Sequence, residues 1–165
     1  MRTLYSKFTT KSFRLLSAVF FLIGDISFAG YLYYSMKTDL KVLLNNPMFK
    51  ELFQKTVEDQ GLKLPPKFNE GILEIFLQSI ILFFILGIIA HVIIYLFYVN
   101  EKRITYLYLR FVSAMGILSA LFMIINKISA SPVISLGFLL VGLLYFFNFT
   151  GFFYFPILPK RKKVN

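Results

Sequence analysis

Apolar residues along this chain gather in four long blocks, at 15–34, 72–98, 104–125 and 133–155. They do not alternate with polar residues at the period of a strand or of an amphipathic helix. Each block reaches the ~20 residues that a helix needs to cross the hydrocarbon of a bilayer. The charged residues inside the blocks are Asp25, Glu74 and Arg110. A helix on the surface of a soluble domain needs a polar face, and these segments have almost none. The pattern predicts an all-α integral membrane protein, a bundle of four transmembrane helices forming a single membrane domain over 1–165.

The stretch 35–71 reads differently. Asn46 is a good N-cap, Pro47 suits the first helical position, and Gly61 suits a helix end. Between them Phe49, Leu52, Phe53 and Val57 share one face, while Lys50, Glu51, Lys55, Glu58 and Asp59 fall largely elsewhere. An amphipathic helix over about 47–60, ~20 Å long at the usual rise, is therefore expected within the first extracytoplasmic connection. Such a helix lies on the outer membrane surface or caps the bundle; its functional alternative is a docking site or a lid. Lys63-Leu64-Pro65-Pro66-Lys67 should lead extended into the second span. The short links 99–103 and 126–132 should make the second and third helices, and the third and fourth, antiparallel neighbours.

Composition agrees with this reading. Of 165 residues, 58% are hydrophobic and 16% charged, with a net charge of +10. In a soluble protein such basicity would suggest nucleic acid. Here the basic residues flank the blocks, so no nucleic-acid partner is expected. Arg2, Lys7, Lys11 and Arg14 precede the first block without an acid, whereas 35–71 is nearly balanced. Glu101, Lys102 and Arg103 form the second link with Arg110 just inside the third block, Lys127 stands alone in the third link, and the tail carries Lys160, Arg161, Lys162 and Lys163. The positive-inside rule then puts both termini and the second link in the cytoplasm. Tyr31, Tyr33 and Tyr34, and Tyr95, Tyr98, Tyr106 and Tyr108, fall where interfacial aromatic belts lie. The polybasic tail should contact anionic lipid at about 1 kcal/mol per basic residue. Its last residues, Lys162-Lys163-Val164-Asn165, also resemble a dilysine retrieval signal. The expected location is the plasma or inner membrane in a bacterium, or the endoplasmic reticulum in a eukaryote. A competing reading treats 1–29 as a signal peptide, with Ser27-Phe28-Ala29 ahead of the cleavage point, which would leave three spans.

Several chemistries lack their residues. There is no cysteine and a single histidine, His91. Disulfides, thiol nucleophiles and Fe–S clusters are excluded, and one chain cannot build a zinc or bis-histidine haem site. Neither metal nor cofactor is expected. The chain has no Gly-x-Ser-x-Gly turn, no second aspartate in a span, no cytoplasmic acid cluster and no phosphate-binding loop. Enzymatic activity is not expected.

Four polar residues remain inside the blocks: Asp25, His91, Arg110 and Asn148. A charge at the bilayer centre costs about 2.5–3.5 kcal/mol on insertion scales. Counted from the nearest polar flank, the four lie about 10–16 Å deep at 1.5 Å per residue, so one intramembrane layer can hold them all. Small residues at helical spacings, Ala18 and Ala29 beside Asp25, Gly87 beside His91, Ser113 beside Arg110 and Gly151 beside Asn148, suggest inward faces. Arg110 either snorkels to the headgroups or pairs with Asp25. His91 is a hydrogen-bonded packing residue or a proton carrier, and Asn148 is interhelical glue. The sequon Asn148-Phe149-Thr150 should be silent inside a span. Asp25 must be either paired or protonated. The expected function is a non-catalytic accessory or scaffold subunit of a membrane complex, with the lipid bilayer and other membrane proteins or further copies of itself as partners. The alternative is a small transporter or channel subunit that uses the polar layer.

Overall fold

The computed structural model describes residues 5–61 and 68–155. They form five helices: α1 (Thr10–Asn45), α2 (Pro47–Asp59), α3 (Phe68–Val99), α4 (Arg103–Lys127) and α5 (Pro132–Tyr154). No strand occurs among the described residues. Four of the helices, α1, α3, α4 and α5, are long and apolar enough to cross a membrane. The segment Lys63–Lys67 and the tail residues Lys160, Arg161, Lys162 and Lys163 lie outside the described residues.

The first helix is much longer than the apolar block 15–34. Beyond Tyr34 the chain offers Met36, Lys37, Leu40, Lys41, Leu43 and Leu44, all good helix formers, and no glycine or proline before Pro47. Losing apolarity does not stop a helix; a backbone obstacle does. Pro47 supplies it by forcing the residue before it out of the helical region, and Asn46 sits at φ −66°, ψ 123°. The Asn46 side chain then accepts a hydrogen bond from the Met48 N–H at 2.9 Å and caps α2. Phe49 and Phe53, one turn apart, stack at 6.0 Å. Gly61 follows the end of α2 at φ +70°, where a residue with a Cβ would be strained.

The chain divides into two compact units: Met1–Ser27 with Ile88–Asn165, and Phe28–Gly87. In the first unit each helix buries one stripe at spacings of three and four. These are Phe13, Ser17 and Phe21 on α1, Tyr95 and Tyr98 on α3, Leu109, Ser113, Gly116 and Ala120 on α4, and Phe138, Val141, Tyr145, Asn148 and Phe152 on α5. Helices α4 and α5 approach most closely. Their pairing runs from Tyr106 with the Phe152 carbonyl, through Gly116 against Tyr145, to a Cβ built on Gly142 3.2 Å from Ala120, so they are antiparallel. Small residues at the crossing allow this approach.

One end of this unit is sealed by aromatic rings. Tyr5 donates to the Phe147 carbonyl at 2.7 Å, and Phe13 stacks on Phe155 at 4.7 Å. Burial pushes the Tyr5 hydroxyl above the ordinary phenol range, with its Thr150 hydrogen bond pulling the other way. At the same end Arg14, 8% exposed, pairs with Glu101 in the link between α3 and α4. The start of α1, that link and the end of α5 therefore share one end of the unit. Tyr95, Tyr98 and Tyr106, expected in an interfacial belt, are instead buried within the unit; Tyr108 is exposed. The Tyr95 and Tyr106 hydroxyls donate to Asp25 and to the Phe152 carbonyl, and the three buried rings fill the core against Phe21 and Phe152.

The second unit comprises the rest of α1, all of α2 and the start of α3. Helix α2 has no buried residue. A groove of about 340 Å³ runs between Leu32 and Met36 of α1 and Phe76, Ile80 and Phe83 of α3.

Candidate functional site

The first unit contains a carboxylate cluster drawing one residue or more from each of its four helices. Asp25 lies on α1, immediately after Gly24. His91 and Tyr95 are four residues apart on α3, so they share a face. His91 Nδ1 lies 2.7 Å from Asp25 Oδ2, and Tyr95 donates its hydroxyl to the same oxygen. Tyr145 of α5 donates to Oδ1 at 3.1 Å. The other histidine nitrogen, Nε2, is 2.9 Å from the hydroxyl of Tyr108 on α4.

Burial falls outward along this chain of contacts. The Asp25 side chain is 11% exposed and that of His91 31%. Taking a carboxylate out of water is costly unless hydrogen bonds replace its hydration. Two phenols and an imidazole do so here, and hydrogen bonds to an ionised group are the stronger kind.

Two glycines hold Tyr145 on its target. A Cβ built on Gly24 or on Gly116 would lie 2.6 Å from atoms of the Tyr145 side chain. The ring thus occupies a slot between α1 and α4 that only hydrogen side chains leave open. Tyr95 is fixed from the other side by stacking on Phe21 at 5.7 Å.

Of the four residues in the expected layer, Asp25 and His91 are brought together. The other two are placed elsewhere. The Arg110 guanidinium lies over the Phe153 ring, 4.1 Å from its centroid, and makes no ion pair with Asp25 among the described residues. Asn148, fully buried, donates through Nδ2 to the Ser17 carbonyl at 3.3 Å and so ties α5 to α1. Its Oδ1 is buried without a hydrogen-bond partner among the described residues. Sequence reasoning missed Tyr145, Gly24 and Gly116 and gave Tyr95 and Tyr108 to a belt. The spacing of four between His91 and Tyr95 was the available signal; nothing local marks Tyr145.

Among the described residues no three of His, Cys, Asp and Glu gather as metal ligands. The cluster has a carboxylate, an imidazole and three phenols, groups that hold or pass protons and hydrogen bonds. The chain matches no protein-family model, no curated protein and no solved structure. Its class rests on fold and length: an all-helical protein with four helices fit to span a membrane.

Proposed function

We propose that this chain is a non-catalytic accessory or scaffold subunit embedded in a membrane, with both termini and the link between α3 and α4 in the cytoplasm and α2 on the opposite side. The observation that carries the reading is how little of the apolar surface the chain covers for itself. In the most apolar window of α3 only 6% is buried, against 17%, 22% and 28% in α1, α4 and α5. Polar groups meanwhile turn inward and hold the helices to one another. Lipid and the helices of neighbouring membrane proteins are the surfaces that match such an exterior. This reading keeps the first helix as an anchor, and the packing of Phe13, Phe21 and Asp25 within the first unit supports it.

A second reading, the transporter or channel subunit, draws on the contact between Asp25 and His91 at the estimated depth of the bilayer interior. Affinity purification in mild detergent, with mass spectrometry of co-eluting proteins, separates the two. A reproducible set of membrane partners or a defined self-assembly is the expected result. A partner-free monomer that carries pH-dependent flux in proteoliposomes would move the assignment to the transporter.

A further inference from the structure

We infer that Asp25 and His91 together form a proton-binding site, with Tyr108 as its outer contact. The heavy-atom positions accommodate two protonation states. With His91 neutral, Nδ1–H donates to Asp25 Oδ2 across 2.7 Å, and Nε2 accepts from the Tyr108 hydroxyl across 2.9 Å. With His91 protonated, Nδ1–H still donates to Asp25, and Nε2–H donates to the Tyr108 oxygen. Both states keep every hydrogen bond, and the change between them is a rotation of one hydroxyl. A half-buried group that gains or loses a proton usually leaves a donor or acceptor stranded. Here neither state does.

The surrounding groups fit this role. Facing the pair are Tyr95 from α3, Tyr108 from α4 and Tyr145 from α5, with Asp25 itself from α1. Tyr95 and Tyr145 donate to the carboxylate in both states and keep it an acceptor. No cation pairs with Asp25 among the described residues besides His91; Arg14 pairs with Glu101, and Arg110 lies over the Phe153 ring. The charge on the protonated imidazole then faces the Asp25 carboxyl group. Tyr108 provides the way in. It is 38% exposed and stands five residues from Arg103, about 8 Å along α4. A proton from water passes to the Tyr108 oxygen as that hydroxyl hands its own proton to His91 Nε2; release reverses both transfers.

This inference does not rest on the accessory-subunit reading, and its test leaves partner binding aside. His91 is the sole histidine, so selective ¹⁵N-histidine labelling gives the signals of one imidazole. In the full chain in lipid nanodiscs, those signals should change as a single site when the pH is scanned from about 5 to about 9. Asp25→Asn should shift the midpoint by about one pH unit or more. Tyr108→Phe should slow proton exchange at Nε2 by about tenfold or more while leaving the Nδ1 contact to Asp25 intact. An imidazole that stays in one state across that range in the wild-type protein overturns the inference. So does an unchanged midpoint in a folded Asp25→Asn protein. Unchanged exchange in Tyr108→Phe removes Tyr108 from the site and overturns the entry through it. Should Asp25→Asn not fold, the wild-type titration decides.

Discussion

Gly116 shows how a residue without a side chain decides where a distant one goes. The Tyr145 ring lies against it, and the nearest ring atoms are at the base of the ring, not at its mobile tip. Adding a methyl group there forces the ring and its α5 backbone to shift. The hydroxyl then loses its line to Asp25. Gly24 meets the hydroxyl end of the same side chain, which yields more readily. Gly116→Ala is therefore expected to destabilise the protein by about 1–3 kcal/mol, the usual cost of overpacking. Gly137→Ala, with nothing within 4 Å of the added methyl, should stay within about 0.5 kcal/mol of wild type. Thermal melts of both variants in one detergent compare them, and equal melting temperatures would remove the slot from this account.

At the scale of elements, the turn from α3 to α4 carries an unusual residue. Lys102 donates its N–H to the Phe97 carbonyl at 3.1 Å, and Glu101 donates to Tyr98 at 3.0 Å. This is the hydrogen-bond pattern of a Schellman cap, in which the residue at the left-handed position is usually glycine. Glu101 occupies it at φ 68°. Its side chain reaches Arg14, whose own side chain is almost covered. Two contributions oppose each other. The backbone strain is about 1 kcal/mol, and an ion pair with one partner at the surface contributes less than about 1 kcal/mol. Glu101→Gln keeps the strain and discards the charge; Glu101→Gly discards both. The glycine variant should exceed the glutamine variant in stability by about 1 kcal/mol, read as the difference between their melting temperatures. The reverse order would show that the left-handed backbone is not strained. The same contrast between propensity and obstacle explains α1, which runs on past its apolar block until Pro47 ends it.

For the whole molecule, the absence of cysteine makes orientation in the membrane directly measurable. Lys7 and Lys102 are exposed at the end of the first unit where Arg14 meets Glu101, whereas Tyr5, two residues before Lys7, is buried. Single substitutions Lys7→Cys and Lys102→Cys are expected to react with an impermeant thiol reagent only from the cytoplasmic side. Lys41→Cys and Ile128→Cys, also exposed, should react only from the other. Labelling of Lys7→Cys and Lys41→Cys from the same side would end the four-span topology.

The sequence by itself determined the elements. Four apolar blocks long enough to cross a bilayer, Asn46 and Pro47 opening α2, and Gly61 closing it are local or periodic signals. They act through hydration, backbone sterics and capping within a few residues. Asp25 and His91 were legible as residues needing partners, because an ionisable group among apolar neighbours is costly wherever the chain goes. Which partners they found was not legible. Tyr145 stands 120 residues from Asp25 along the chain, and Arg14 stands 87 from Glu101. Arg110, the cation the sequence offered to Asp25, rests on Phe153 instead. Those choices depend on the rotation of each helix about its axis and on which small residues let two backbones close together. Gly116 against Tyr145 and Gly151 against Phe13 set both. Packing of that kind is a property of several helices at once, and it exists only once they have assembled.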